Sequence, residues 1–103
     1  SHMERALVNL INNAIEASEG GRSVSVRGEA DDQKVRISIR DYGSGMDKET
    51  LDNIFIPFYT KKSYGTGLGM AIAKKIIEGH KGAIHIESRV NAGTEVVVEL
   101  PCS

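Results

Sequence analysis

A chain of 103 residues with 13 Lys and Arg against 14 Asp and Glu carries a net charge of −1, and is long enough for one hydrophobic core but too short for two. So even a balance gives no electrostatic pull toward nucleic acid or an anionic membrane surface, and no apolar run approaches the roughly 18 residues of a membrane span. The single cysteine, Cys102, excludes an internal disulfide and fits a reducing compartment, and with His80 and His85 it forms no ligand-spaced cluster for zinc.

In chain order, Ser1-His2-Met3 reads as an expression-tag remnant, leaving 4–103 as the domain. ERALVNLINNAIEAS (4–18) places Leu7, Leu10, Ile11, Ala14 and Ile15 at helical spacing, and Glu19-Gly20-Gly21 stops that helix. SVSVRG (23–28) and KVRISIRD (34–41) alternate apolar and polar residues around Asp31-Asp32-Gln33, which predicts a hairpin with one buried face. DYGSGMD is a loop, with Asp47 capping a short helix through Ile54. Pro57 to Tyr64 is irregular, a helix covers roughly 68 to 79, and AIHIES (83–88) with TEVVVEL (94–100) makes a second hairpin. The order α-β-β-α-α-β-β, with strands apolar on one side only, predicts an α+β fold. Its helices would form one layer on one face of a largely antiparallel mixed sheet.

Three polar features fall where that fold has an inside. Asn9, Asn12, Asn13 and Glu16 form a second stripe on the first helix, at i, i+3, i+4 and i+7. Most polar stripes are solvated faces, yet asparagine is a poorer helix former than the Glu, Lys or Gln such faces favour. Carboxamide oxygens one turn apart can instead ligate a hard cation such as Mg²⁺. On the strand 34–41, Val35, Ile37 and Ile39 share a face, and Asp41 shares it with them. Such a carboxylate either starts a turn or waits for a donor, because burying it unpaired is costly. By the same parity Thr94 faces in with Val96, Val98 and Leu100. It either satisfies local backbone or joins Asp41 in a pocket that reads the amino edge of a purine.

The stretch GTGLG (65–69) spends three glycines just where a helix begins. Glycine is unfavourable inside a helix, but bare amides at a helix N-terminus can close on an anion such as a phosphate. The spacing is neither the dinucleotide fingerprint nor a P-loop, since no third glycine falls in place and no Gly-Lys-Ser/Thr follows.

Together these residues resemble the catalytic ATP-binding domain of bacterial sensor histidine kinases, within the gyrase/MutL/histidine-kinase ATPase superfamily and its Bergerat-type ATP-binding fold. NLINNAIEA (9–17) is similar to the asparagine box, DYGSGM (41–46) to the first glycine box and FIPFYTKK (55–62) to the phenylalanine box. GTGLGMAIAKKIIEGHKGAIHIES (65–88) resembles the second glycine box, and NAGTEVVVELP (91–101) the closing strand.

The resemblance implies that Asn13 ligates Mg²⁺, with Asn9 assisting at the metal or phosphates. Asp41 would accept from the adenine amino group, Gly43 and Gly45 would let the base lie against backbone, and Thr94 would close the adenine end. Gly65, Thr66, Gly67, Leu68 and Gly69 would form a lid and phosphate cradle, Lys62 would meet the γ-phosphate, and Lys61 is a weaker candidate beside it. Phe55 and Phe58 would hold the lid or dock it, with plain core as their other reading, and His80 is structural. Two departures stand out. Hydrolytic relatives carry a glutamate base where this chain has Asn9. The family domain also usually brings a strand and some helix before the asparagine box, whereas this chain begins almost inside it.

The implied activity is ATP-dependent phosphorylation of a histidine on a separate dimerisation hairpin in two-component signalling. A response regulator would act downstream, and this domain would contact neither nucleic acid nor membrane. The implied location is cytoplasmic, whether or not the parent is membrane-anchored. The alternatives are a serine kinase of the anti-sigma-factor type, whose members tend to keep the glutamate, and a non-catalytic nucleotide-binding module.

Overall fold

Among the described residues seven elements form, in the expected order: α1 (His2–Ala17), β1 (Ser25–Ala30), β2 (Lys34–Asp41), α2 (Lys48–Asn53), α3 (Gly69–Gly79), β3 (Ala83–Arg89) and β4 (Gly93–Pro101). The computed structural model describes residues 2–17, 23–56 and 69–101. The helix stop at Glu19-Gly20-Gly21 and the irregular stretch Pro57 to Tyr64 therefore lie outside the described residues. Residues 2 and 3, set apart above as tag-derived, continue α1 at its start, and Met3 packs against the core.

The four strands make one sheet in the order β1-β2-β4-β3, and every pairing is antiparallel. One face carries the core. Ala6, Leu10 and Ala14 of α1 and Ala73 and Ile77 of α3 meet Ile39 of β2 and Val96 and Val98 of β4, all buried. Alanines at the helix contact let α1 and α3 approach closely, while the branched residues of β2 and β4 fill the pleats beneath them.

The expectation of a half-buried β1 needs correction. All six of its residues are exposed, and Val26, which pairs with buried Ile39 and shares its face, is 55% exposed. The reason is lateral: α1 packs on β2 and α3 on β3, so the helix layer stops short of this edge strand. Only Val24, just before β1, reaches the core.

The turns follow local chemistry. Asp31 closes the β1–β2 hairpin by accepting from the amides of Gln33 and Lys34, both at 2.7 Å. Those two bonds hold its carboxyl below the ordinary carboxylate range. Asp47 caps α2 as expected, accepting from the Thr50 amide at 2.8 Å. At the end of α3, Lys81 takes the left-handed conformation with φ 63°, while the Gly82 amide reaches the Ile77 carbonyl and the Lys81 amide the Glu78 carbonyl. That pair of bonds is a Schellman cap. Glycine stands one place later than usual because a Cβ at Gly82 would press on the Glu99 carbonyl and the Leu100 side chain.

Candidate nucleotide site

Strand parity delivers the two inward polar groups as the pattern predicts. Asp41 is 4% exposed and Thr94 8% exposed, each continuing a buried apolar row. They sit opposite one another, because Asp41 of β2 pairs with Thr94 of β4 in the antiparallel register. The Asp41 Oδ1 accepts from the Gly43 amide at 3.0 Å, the one hydrogen bond to its carboxylate among the described residues. A buried carboxylate with most of its lone-pair capacity unspent is expensive, and an incoming donor would offset that cost.

The loop from Tyr42 to Asp47 lies against the β3–β4 turn, and two bonds stitch it there. The Asn91 amide donates to the Ser44 carbonyl at 2.7 Å, and the Met46 amide donates to Ser88 Oγ at 2.8 Å. Gly43 is buried beside Asp41. Gly45 has a reason to be glycine that the sequence did not reveal. Its φ is 72°, and a Cβ there would land on the Arg89 carbonyl oxygen. Packing against the turn is what the structure demands of it. Gly93 is the reciprocal case, with φ 87° and a Cβ position occupied by the Asp41 carbonyl oxygen.

Ser88 escaped the sequence reading, although the signal was present. Ile84, Ile86 and Ser88 alternate along β3 just as Ile39 and Asp41 do along β2. Ser88 pairs with Thr94, which pairs with Asp41, so the three polar groups form one row across three strands. Ser88 Oγ lies 2.7 Å from Thr94 Oγ1 and 3.1 Å from the Gly93 carbonyl oxygen.

On α1 the asparagine stripe splits. Asn9 and Asn13 are half-buried, one turn apart on the same face, whereas Asn12 is solvated. No cluster of three or more His, Cys, Asp or Glu suited to a metal occurs among the described residues. The side chains of Asn9 and Asn13 each carry a carboxamide oxygen, a donor type that a hard, oxygen-seeking cation accepts.

Lys61, Lys62, Phe58, Gly65, Thr66, Gly67 and Leu68 lie outside the described residues, and Gly69 opens α3. Phe55 is half-buried, with the Lys74 ammonium 5.1 Å from its ring centroid.

His80 and His85 both stand apart from Asp41. His80 caps α3, its Nδ1–H donating to the Ile76 carbonyl at 2.8 Å. His85 faces outward from the sheet, its Nε2 3.2 Å from Glu99, which also pairs with Arg36 at 2.8 Å. Arg36, foremost, holds the Glu99 carboxyl below its ordinary range, on the side of the sheet away from the core. No helix among the described residues is long and apolar enough to cross a membrane.

Residues 1–103 match the family described as histidine kinase-, DNA gyrase B-, and HSP90-like ATPase. Sporulation kinase D of Bacillus subtilis is 41% identical over 102 residues, an alignment spanning 99% of this chain and 20% of that protein. The chain therefore spans about a fifth of the length of this curated relative. Among solved structures, the catalytic domain of histidine kinase ThkA superposes with a TM-score of 0.85 at 40% identity, covering 97% of this chain and 66% of that one. The mycobacterial sensor histidine kinase MprB gives 0.87 at 28% identity, covering 97% and 72%. An α+β arrangement of helices on one face of a four-stranded antiparallel sheet is the fold of histidine-kinase catalytic domains, and the chain belongs to the histidine kinase-, DNA gyrase B- and HSP90-like ATPase family.

Proposed function

We propose that this chain is the catalytic domain of a protein-histidine kinase. It takes Mg-ATP and passes the γ-phosphate to a histidine on a separate dimerisation hairpin of its parent, in a cytoplasmic two-component pathway that ends at a response regulator. The observation that carries the reading is the buried Asp41 carboxylate, bonded once among the described residues and aligned with Thr94. A carboxylate that only accepts selects an amino group, and adenine offers one.

Asn13 and Asn9 fit a Mg²⁺ ion through carboxamide oxygens. When bound, the ion neutralises phosphate charge and fixes the terminal phosphate for attack. Lys62, with Lys61 beside it, adds positive charge at the γ-phosphate. The amides from Gly65 through Thr66, Gly67 and Leu68 to Gly69 hold the phosphates at the N-terminus of α3.

Calorimetry with ADP tests this reading. Asp41→Asn keeps the shape but turns an acceptor toward a donor, so binding should weaken by about 1–3 kcal/mol. An Asp41→Asn variant that binds as tightly as the parent removes Asp41 from the site. The metal assignment is tested separately. Asn13→Ala should damage ADP binding far more in Mg²⁺ than in EDTA, and equal losses in the two buffers would make Asn13 a helix-packing residue.

A further inference from the structure

We propose that Ser88 is a positioning residue that sets the hydrogen-bonding polarity of Thr94 and holds the Tyr42–Asp47 loop in place, and so decides which purine the site accepts. The inference rests on the adenine reading above and deepens it.

The argument is a count of protons. A serine hydroxyl has one proton and two lone pairs. One Ser88 lone pair receives the Met46 amide at 2.8 Å. Its proton can go to the Gly93 carbonyl at 3.1 Å or to Thr94 Oγ1 at 2.7 Å. In the first arrangement Thr94 must donate back to Ser88 across the short contact, which leaves Thr94 only lone pairs to offer elsewhere. In the second, Thr94 accepts from Ser88 and its own proton is released.

Only the second arrangement complements adenine. Asp41 accepts and Thr94 donates, side by side across one register pair. Adenine presents an amino donor next to a bare ring nitrogen, whereas hypoxanthine and guanine present a carbonyl next to a ring N–H. With adenine in place the Ser88 proton turns from the Gly93 carbonyl to Thr94 Oγ1, and the row Ser88–Thr94–Asp41 then runs in one direction. Ser88 never touches the base, and its donation to Thr94 is read one residue away.

The same oxygen anchors the loop that begins at Asp41. The neighbours of Met46 are tied to the β3–β4 turn by the Ser44–Asn91 bond and the Gly45 contact. Removing the hydroxyl should thus affect two things that separate measurements can read.

The experiment compares the parent, Ser88→Ala and Ser88→Thr by calorimetry with ADP, IDP and Mg-tripolyphosphate, and follows Met46 amide exchange by NMR without nucleotide. Ser88→Ala should lose about three- to tenfold in ADP affinity, the worth of one neutral hydrogen bond. It should lose much less for IDP and nothing for tripolyphosphate, so that the ADP/IDP preference narrows. Met46 exchange should quicken. Ser88→Thr keeps the hydroxyl and should restore both. An Ser88→Ala variant with an unchanged ADP/IDP ratio overturns the polarity role, and unchanged Met46 exchange overturns the anchoring role. Equal losses for all three ligands, shared by Ser88→Thr, would reduce Ser88 to packing. A parent domain that binds ADP and IDP alike would instead sink the adenine reading, while the exchange result still judges the anchor.

Discussion

Gly93→Ala should destabilise the domain by roughly 2–5 kcal/mol, combining the cost of a side chain in left-handed backbone with that of overpacking. The backbone there has φ 87°, and the new methyl would fall on the Asp41 carbonyl oxygen with the Tyr42 Cα and Asp41 carbonyl carbon next nearest. None of these is the loose end of a side chain, so relief requires β2 and β4 to part where their polar row lies. For a domain of this size the melting temperature should fall by about 10 °C or more. Gly28→Ala is the matched control. It lies on the exposed edge strand with nothing within 4 Å of a Cβ and no positive φ, so it should stay within about 0.5 kcal/mol of the parent. Thermal and urea melts of the two variants decide the matter. A Gly93→Ala domain that melts with the parent would mean the turn relaxes freely and does not brace Asp41.

This glycine shows where reading a sequence stops short. Period-two alternation places Asp41 and Thr94 inward without any knowledge of the fold, because parity is a local property of a strand. What parity cannot say is which strands are neighbours. Asp41 and Thr94 face each other only because β4 returns between β2 and β3, and that pairing, between positions far apart in the chain, also creates the contacts that make Gly45 and Gly93 obligatory. Their glycines face backbone that the sequence brings from the opposite end of the chain. The sequence motif names them; the sheet order explains them.

β1 is the converse case. Val24 and Val26 alternate with serines as cleanly as Val35, Ile37 and Ile39 alternate with polar residues in β2, so the pattern predicts a buried face as firmly. Burial depends on what is stacked above, and α1 and α3 pack over β2 and β3. Ser88 was legible by the same parity that found Asp41, but a serine at a strand end has so many local uses that the pattern alone carries no role. Only its register with Thr94 gives it one. Likewise the asparagine stripe could be seen on the helix, while the split between half-buried Asn9 and Asn13 and solvated Asn12 depends on how far α1 is rolled toward α3.

Asn9 carries the remaining prediction. An amide has no basic lone pair to take a proton from water at neutral pH, and a positioned base typically supplies about 10²–10⁴-fold. The isolated domain should accordingly hold ATP and hydrolyse it very slowly. It should not label itself either, since His80 stands at the far end of α3 from the glycine-rich stretch that precedes the helix, and His85 sits with Glu99 on the outward side of the sheet. Adding a histidine hairpin of the parent kinase in trans should change the outcome completely. An acceptor imidazole is its own nucleophile, so the transfer needs positioning and charge neutralisation, which Asn13 with its ion and Lys62 are proposed to supply, more than it needs a base. The product should be acid-labile and base-stable, as a phosphoramidate is, and its yield should track the hairpin concentration. Brisk hydrolysis by the domain alone would show that some other group serves as the base, and an acid-stable phosphoserine on the partner would move the chain to the anti-sigma type of kinase.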